Sequence, residues 1–291
     1  MAIFLVFLVL LAVALGIAGC STSRLPTSPP IPAGLTFSHI HALVIDPTDN
    51  ALLVATHKGL YRLTIDSAGS AATAVGPIGG LDLDLMGFTI AAGTAYASGH
   101  PGPATPNTFG SPNLGIISST DMGGTWTNVA LTDVTDFHSL TVAPSGAGPV
   151  HVFGYDAAKG RIERSLDGGV TWSEGAELRA RDILAIGDQL YATTADGLAV
   201  SSDEGMTFTV AAAAPKLYIL ATDLAGTIAG IDATGTLWTR AQDRDWVHGR
   251  TVTGAPQAFA FEGDRIYIAD DRGIAITDDA GATWTVLELR K

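Results

Sequence analysis

The sequence of 291 residues contains one cysteine, Cys20, few charged residues (15%) and no long amphipathic helical pattern. A single cysteine excludes disulfide bonds within the chain, so a large hydrophobic core must supply the stability. Glycine (34 residues) and short alternating apolar segments are abundant instead. This profile favours an all-β protein made of short strands and turns.

The sequence also lacks clusters of basic residues. Its 29 Asp and Glu outnumber 16 Lys and Arg, which gives a formal net charge of −13 at pH 7. This charge repels a phosphate backbone, so we expect no nucleic-acid partner. The acidity favours solubility and a weak attraction of cations.

The first 20 residues, MAIFLVFLVLLAVALGIAGC, have no charged side chain and end in small residues. A short apolar run of this kind is typical of an export signal. Its last letters, IAGC, resemble the bacterial lipoprotein box, which implies a signal peptide at 1–20 and a lipid-modified Cys20. The Ser/Pro-rich residues 21–35 are then a tether, and a domain at 36–291 lies outside the cytoplasmic membrane, anchored to the bacterial cell membrane. The alternative is an uncleaved membrane anchor.

An eight-residue pattern occurs four times, as STDMGGTW (119–126), SLDGGVTW (165–172), SSDEGMTF (201–208) and TDDAGATW (277–284). Its aspartates, at 121, 167, 203 and 279, are separated by 46, 36 and 76 residues. These separations indicate a unit of about 40 residues with one copy missing. The missing copy falls at TRAQDRDW (239–246), which keeps the first Thr and last Trp but has lost the aspartate and glycine.

Each unit contains four short strand-like segments, the last of which follows the repeated pattern. Four strands in about 40 residues are typical of a β-propeller blade. An additional first unit begins at HIHALVIDP, so the sequence predicts six blades beginning near residues 38, 84, 136, 181, 216 and 255. TWTVLEL is the predicted fourth strand of the last blade. The predicted fold class is therefore all-β, a six-bladed β-propeller with four-stranded antiparallel blades.

The repeated pattern resembles the Asp-box, or BNR repeat, of sialidases, sortilin-type receptors and related propellers. The resemblance implies that Asp and Ser/Thr oxygens close the turn between third and fourth strands, and that Trp packs between blades. It also implies that the boxes lie on the face opposite the usual active site. We therefore expect a structural role for Asp121, Asp167, Asp203, Asp279, Trp126, Trp172 and Trp284.

Function must lie where the blades differ. Innermost strands of a propeller begin at the mouth of the central channel, and the loops between second and third strands open on the same face. Blades four to six read RDILA, LYILA and PQAFA at the strand start and offer little to a ligand. The first three blades read HIHAL, DLMGF and DFHSL there, and ATHKG, SGHPG and GYDAAKG in the loops. The residues expected to converge are His39, His41, His57, His100, His138, Met86, Asp84, Asp136, Tyr155 and Asp156.

Imidazoles with carboxylates beside them are typical metal ligands. Residues i and i+2 of a strand share a face, so His39 and His41 can both point inward. A thioether from Met86 would favour copper over zinc. The alternative ligand is a carbohydrate or another small polar molecule. The segment HPGPATPNTFGSPNLG (100–115) is on the same face, as a lid, a specificity loop or an inert surface loop.

The sialidase resemblance implies three carboxylate-binding arginines, a Tyr–Glu nucleophile pair and an acid/base Asp. Tyr155 has no glutamate beside it, and the N-terminal Arg-Ile-Pro segment is absent. Five arginines fall within or beside the predicted third strands, away from the start of the innermost strand: Arg62, Arg161, Arg164, Arg240 and Arg272. The sialidase mechanism is therefore not predicted. A different glycan hydrolase or lyase-like enzyme would use Asp84, Asp136 or Asp156 with His138 as acid/base.

The histidine-bearing segments HIHALVIDPTDNALLVATHKGLYR, MGFTIAAGTAYASGHPGP and DFHSLTVAPSGAGPVHVFGYD resemble those of bacterial secreted or lipid-anchored BNR propellers described as glycosyl-hydrolase-like. A more distant resemblance, to the photosystem II assembly-factor group, implies an assembly or binding role. Three functions stay open: a metal- or ligand-binding module, a glycan-cleaving enzyme and an envelope scaffold. We expect a monomer whose partners are membrane lipid through Cys20 and a small ligand or envelope protein.

Overall fold

The computed structural model describes residues 34–242, 244–252 and 254–291. The predicted signal peptide, Cys20 and most of the predicted tether lie outside the described residues. The described chain consists almost entirely of β-strands, with two 3-10 helices at Ile78–Gly80 and Asn107–Phe109. Among the described residues, no helix has the length and apolarity needed to cross a membrane.

The strands form six sheets in which neighbours in the chain pair antiparallel, and the sheet of blade one gains a fifth strand from the end of the chain. The innermost strands are β1 (Ile40–Ile45), β5 (Asp84–Ala91), β9 (Phe137–Ala143), β13 (Ala180–Ile186), β17 (Leu217–Thr222) and β21 (Ala258–Glu262). The second strands are β2 (Leu52–Thr56), β6 (Thr94–His100), β10 (His151–Asp156), β14 (Gln189–Thr194), β18 (Ile228–Asp232) and β22 (Arg265–Asp270).

The outer half of each blade consists of two further strands. The third strands are β3 (Gly59–Ile65), β7 (Ile116–Ser119), β11 (Arg161–Ser165), β15 (Gly197–Ser201), β19 (Thr236–Arg240) and β23 (Gly273–Thr277). The outermost strands are β4 (Ala71–Val75), β8 (Thr127–Ala130), β12 (Ser173–Glu177), β16 (Thr209–Val210), β20 (Val247–Thr251) and β24 (Thr285–Val286), and a last short strand follows, β25 (Glu288–Arg290).

The innermost strands form a closed ring. Each contacts the innermost strand of the next blade, and β21 contacts β1. The six-bladed propeller predicted from the repeats is thus confirmed. The largest error in the predicted blade starts is at blade six, where residue 255 was expected and β21 begins at Ala258.

The ring closes in a way that the sequence pattern did not predict. The predicted strand TWTVLEL is divided between two blades, because β24 pairs with β23 of blade six while β25 pairs in parallel with β4 of blade one. Leu287 and Leu289 are buried in the core shared by these two blades. Burial of two leucine side chains favours this division over one continuous strand.

The four repeated patterns fold into the same turn between third and fourth strands. In the first copy, Ser119 Oγ accepts a hydrogen bond from the Gly123 N–H and donates one to Asp121 Oδ1, at 2.8 and 2.7 Å. Asp121 also accepts hydrogen bonds from the backbone and hydroxyl of Thr125. Gly123 has a φ of 93°, which glycine adopts without strain. These bonds lie within seven residues, so the local sequence specifies the turn.

The aromatic residues that end the four patterns pack into cores between neighbouring blades. Trp126 is buried with Leu60 of blade one and Ile117 of blade two, and Trp172 packs against Phe137, with ring centroids 5.0 Å apart. Because strand direction alternates within a blade, the turn between third and fourth strands lies at the end opposite the start of the innermost strand. The repeats therefore lie away from the channel mouth.

Candidate functional site

Five of the six innermost strands contain a β-bulge near their first residue. In β1 the pairing steps from Ile40 to Ala42, so His41 has no partner on β2. A bulge changes the direction of the extra side chain and bends the strand. The extra residues in blades one to five are His41, Met86, His138, Arg181 and Tyr218.

All six innermost strands line a central channel with a cavity volume of about 310 Å³. His41, Met86 and His138 are part of its wall. The repeated bulge thus brings predicted site residues from three blades to one end of one channel.

Four predicted residues form a compact group across the boundary between blades one and two, which we call the first histidine group. It comprises His39, His41, His57 and Asp84. Asp84 Oδ1 lies 2.8 Å from His57 Nδ1 and 3.1 Å from His41 Nε2, and these two nitrogens are 3.2 Å apart. One ring nitrogen of His39 joins the other two imidazoles within a span of 4.8 Å.

The loop that carries His57 is held by hydrogen bonds between the Thr56 hydroxyl and the loop backbone. The Thr56 hydroxyl donates to the carbonyl of Gly59 and accepts from the Lys58 N–H, at 2.8 and 3.0 Å. Gly59 has a φ of 107°, and a Cβ at this position would lie 2.5 Å from the Leu81 carbonyl oxygen. Glycine is therefore required here for the loop to approach blade two and for His57 to reach Asp84.

The first histidine group is partly shielded from water. The side chain of His41 is 7% exposed and that of His57 is 41% exposed. Although burial alone would raise it, hydrogen bonds from His41 and His57 keep the pKa of Asp84 below its usual value. Burial, followed by the charges of His41 and His57, lowers the pKa of His39, so its neutral form is favoured. A neutral imidazole is the form that ligates a metal.

The three shortest contacts also have the spacing of ligands around one ion. Zinc is bound by imidazole nitrogen and carboxylate oxygen at about 2.0–2.1 Å, so neighbouring donors of a tetrahedral site are about 3.3 Å apart. The donors of His41, His57 and Asp84 are 2.8 to 3.2 Å apart. An ion slightly above their plane can contact all three, and a ring nitrogen of His39 lies within 4.8 Å of the two imidazole nitrogens.

The remaining two histidines of the predicted set lie around a second aspartate, one blade further along. His138 Nε2 and His100 Nε2 are 2.9 and 3.3 Å from Asp136 Oδ2. The other ring nitrogen of His100, Nδ1, is 3.0 Å from the carbonyl oxygen of Pro112. We call His100, Asp136 and His138 the second histidine group.

Two predicted site residues are not brought to the histidines, which corrects the sequence interpretation. Tyr155 is buried in the core with Phe153, because alternation along β10 directs it between the blades. The buried Asp156 carboxylate accepts hydrogen bonds from the Thr135 hydroxyl and the backbone N–H of Lys159, and it pairs with the Lys159 ammonium. Asp156 therefore stabilises its own loop and offers no free carboxylate to the mouth.

The sequence interpretation missed two residues at the mouth. Arg181 and Tyr218 occupy the same bulge position as His41, and the Arg181 guanidinium lies 3.6 Å from the centre of the Tyr218 ring. This cation–π contact joins blades four and five. The charge of Arg181 also contributes to the lowered pKa of His39, after burial and the neighbouring histidines. Arg181 is the first letter of RDILA and Tyr218 the second of LYILA, whereas His41 is the third letter of HIHAL, so the sequence alignment did not place these residues together.

Asp182, next to Arg181, is a structural carboxyl group. It accepts hydrogen bonds from the Ser139 hydroxyl and from the backbone N–H of Leu220, both at 2.8 Å, and so connects blades three, four and five. Burial raises its pKa. Both carboxylate oxygens of Asp182 therefore accept hydrogen bonds within the channel wall, and these bonds hold the wall together. The bulged residues at the mouth are not involved in them.

No protein-family model matches the chain. No curated protein matches it either. Solved structures do resemble it in fold. One, from a nidogen/laminin complex, superposes with a TM-score of 0.60 and 17% identity over 81% of this chain and 93% of that chain.

Two glycoside hydrolases also resemble the chain. A GH74 enzyme from Niastella koreensis has a TM-score of 0.59 and 16% identity over 87% of this chain and 45% of that chain. A GH74 xyloglucanase from Xanthomonas campestris has a TM-score of 0.54 and 16% identity over 87% and 46%. The chain spans less than half the length of these enzymes, and the likeness is one of β-propeller fold.

Proposed function

We propose that this chain is a lipid-anchored, extracytoplasmic β-propeller that binds a copper or zinc ion at its channel mouth. The ligands are His39, His41 and His57, with Asp84 as the oxygen donor. The observation that carries the proposal is the convergence of three imidazoles within 4.8 Å beside a carboxylate that contacts two of them.

The donor set suits both metals. Three imidazole nitrogens and one carboxylate oxygen satisfy the four-coordinate preference of zinc, and imidazole is equally a ligand of copper. Met86 contributes a thioether to the same channel wall, from the bulge of blade two. A thioether ligand favours Cu(I), so loss of Met86 should weaken copper binding and leave zinc binding unchanged.

Elemental analysis of protein purified without an affinity tag tests the proposal. We expect copper or zinc to co-purify with the wild type and to be lost from His41→Ala. His248→Ala is the matched control, because His248 lies on the outermost strand of blade five. Absence of metal from the wild type, together with equal uptake of added copper and zinc by wild type and His41→Ala, would overturn the proposal.

The anchor is proposed from the sequence of residues 1–20. Labelling with a radioactive fatty acid should modify the wild-type protein at Cys20 and leave Cys20→Ser unlabelled. Fractionation should then find the wild type in membranes and the variant released or unprocessed. Membrane retention of an unlabelled wild type would favour the uncleaved anchor instead.

We also propose that the chain is related to the Asp-box propellers, among them the bacterial glycosyl-hydrolase-like lipoproteins. The recurring turn, in which a Ser or Thr hydroxyl and an Asp carboxylate bond each other and a following Thr, supports this relationship. Arg62, Arg161 and Arg164 are in ion pairs with acidic side chains, as is Arg272, while Arg240 donates to the Tyr191 hydroxyl. These contacts give no support to a sialidase-like arginine triad.

A glycan-cleaving enzyme is the second candidate, supported by the fold likeness to GH74 enzymes and by two carboxylates at the mouth, Asp84 and Asp136. Both carboxylates contact histidines, so an acid/base role would require His138 or a neighbouring imidazole to exchange protons with them. Hydrolysis of an aryl-glycoside that is abolished in Asp136→Asn would favour this candidate. A third outcome is that the anchored chain captures one envelope protein but binds no metal and hydrolyses no aryl-glycoside. That outcome would favour the envelope scaffold.

A further inference from the structure

Arg181 and Tyr218 occupy the bulge positions of blades four and five, across the ring from the first histidine group. Their blades adjoin the second histidine group. A hydrogen bond of 2.8 Å joins Ser139 Oγ to Asp182 Oδ1. These two residues directly follow His138 and Arg181 in the chain, so the bulged residues of blades three and four lie side by side. The mouth therefore has a basic side chain next to the His138 imidazole.

The Tyr218 ring holds the Arg181 guanidinium in place. The Arg181 Cζ lies over the ring, 3.6 Å from its centre. The Tyr218 backbone is attached to blade four, because its carbonyl accepts a hydrogen bond from the Thr193 hydroxyl at 3.3 Å. A ring covers only a face of the guanidinium, whereas the N–H donors lie in its plane. Arg181 is exposed, so these donors are accessible to a ligand.

Arg181 forms no ion pair with any described residue, although the chain has 29 acidic and only 16 basic residues. Asp182, its neighbour in the chain, is not a counter-ion, because its oxygens accept hydrogen bonds from the Ser139 hydroxyl and from two backbone N–H groups. Other arginines do pair with acidic side chains: Arg62, Arg161, Arg164, Arg265, Arg272 and Arg290. A guanidinium that is held in place without a protein counter-ion can bind an anionic ligand.

The charges around the mouth favour one kind of anion. Asp84 and Asp136 each contact two histidines there, and the chain has a formal net charge of −13. A phosphate carries more than one negative charge at pH 7, so these carboxylates repel it more strongly than a carboxylate ligand. The guanidinium fork also matches a carboxylate with two parallel hydrogen bonds. The surroundings of Arg181 therefore favour a monocarboxylate.

Asp136 supplies a second contact for such a ligand. Its Oδ2 lies 2.9 Å from His138 Nε2 and 3.3 Å from His100 Nε2. Its Oδ1, by contrast, accepts no hydrogen bond from the part of the chain that the structure describes. The Asp136 side chain is 18% exposed. A carboxylate oxygen of this kind accepts from a hydroxyl or ammonium group. The ligand is then an organic acid that also carries such a donor.

We propose that Arg181, held by Tyr218, binds the carboxylate of a small organic acid at the channel mouth, and that Asp136 binds a hydroxyl or ammonium group of the same molecule. Small hydroxy acids and amino acids have this chemistry. The proposal does not depend on the metal, since none of these three residues is a ligand in the first histidine group.

Titration of metal-free protein tests the site. Full-length, chelator-treated protein is titrated at pH 7 with lactate, glycine, propionate and phosphate, and binding is measured from NMR relaxation of the ligand. We expect lactate or glycine to bind more tightly than propionate, and phosphate to bind most weakly. Arg181→Gln should weaken binding of the organic acids about 10- to 100-fold, because charge-assisted hydrogen bonds are lost. Arg181→Lys, which keeps the charge without the fork, should weaken it less. The exposed Arg179 provides the control Arg179→Gln.

Two further variants separate the contacts. Asp136→Asn removes a repelling charge, so propionate should bind more tightly, while the preference for glycine over propionate should fall. The preference for lactate should fall less, because an amide oxygen still accepts from a hydroxyl. Tyr218→Leu should weaken all three acids by the same factor and leave their order unchanged. Tyr218→Phe keeps the ring and is the matched control.

Several results would overturn the proposal. One is that the wild type binds none of the acids, and another is that Arg181→Gln binds them as tightly as the wild type. Phosphate that binds more tightly than propionate would contradict the charge argument. Binding that requires added zinc and is unchanged in Arg181→Gln would assign the carboxylate to the metal, so that the metal site stands and this site fails. Binding that depends on Arg181 in a protein that takes up no metal would support this site and count against the metal.

Discussion

His57 Nδ1 and Asp84 Oδ1 are 2.8 Å apart although they belong to different blades. His57 lies in the loop after the second strand of blade one, and Asp84 begins the innermost strand of blade two. Contact between them depends on the angle between neighbouring blades. The geometry of the first histidine group is therefore a product of the closed ring.

Replacement of Asp84 tests this dependence. Asp84→Asn removes the charged oxygen donor that contacts His41 and His57, so we expect metal affinity to fall by more than the roughly 10- to 100-fold that is typical when an outer partner of a ligand is lost. Competition with a chromophoric chelator measures the change. Asp196→Asn is the control, because Asp196 lies in the loop of blade four that is equivalent to the His57 loop. Equal affinities in all three proteins would contradict a role of Asp84 in the site.

The charge of Arg181 affects His39 from blade four. Burial and the charges of His41 and His57 lower the His39 pKa, the charge of Asp84 raises it, and the charge of Arg181 lowers it by the smallest amount of these. Arg181→Gln should therefore raise the His39 pKa by a small amount, whereas Arg179→Gln should leave it unchanged. NMR titration of the imidazole protons measures both. A lower His39 pKa in Arg181→Gln would be the wrong sign for the proposed electrostatic coupling.

The repeated turns should contribute to stability through their serine or threonine. Ser165 Oγ accepts from the Gly169 N–H at 2.8 Å inside the fold, so Ser165→Ala leaves a buried donor without a partner. We expect a loss of about 1–3 kcal/mol in the free energy of unfolding, measured by urea denaturation. The exposed Ser173 provides the control variant Ser173→Ala. A variant as stable as the wild type would mean that water replaces the hydroxyl.

The aspartates of the turns predict acid sensitivity. Hydrogen bonds from Thr171 and Ser165 lower the pKa of Asp167 to about 2, from 3.8. A carboxylate with a lowered folded-state pKa stabilises the protein above the unfolded-state pKa, and the stabilisation is lost as pH falls through the folded value. The other three turns have the same feature, so the melting temperature should fall between about pH 4 and pH 2.

Asp167→Asn tests the origin of that acid sensitivity. The variant should be less stable at pH 7 but should show a smaller decrease in melting temperature between pH 4 and pH 2, because one titrating group has been removed. Asp188→Asn, in a turn between first and second strands, is the control and should retain the wild-type slope. Identical slopes in wild type and Asp167→Asn would assign the acid sensitivity to other carboxylates.

The last strand should hold the ring closed. Leu289 is buried between blades six and one, so Leu289→Ala should cost about 2–5 kcal/mol of stability. Val286→Ala, at a nearby exposed position, should cost much less. Urea denaturation monitored by tryptophan fluorescence measures both. Equal and small losses would show that β25 is dispensable for closure.

Much of the fold could be predicted because the interactions that define its turns are between residues close in the sequence. The bonds of Asp121 to Ser119 and Thr125 span at most four residues, and the same pattern recurs at a period of about 40 residues. The division of the last strand could not be predicted, because Leu289 pairs with Ala72 from the other end of the domain. No periodicity in the sequence encodes that contact.

The sequence by itself determined that the histidines of blades one to three lie at one end of the channel, since strand order and direction fix which loops share a face. The tertiary structure decided how they divide, with His41 and His57 around Asp84 and His138 and His100 around Asp136. It also turned Arg181 toward the mouth and Tyr155 into the core. The reason is physical: β-bulges and the angle between blades set side-chain direction, and both depend on packing between segments distant in the chain.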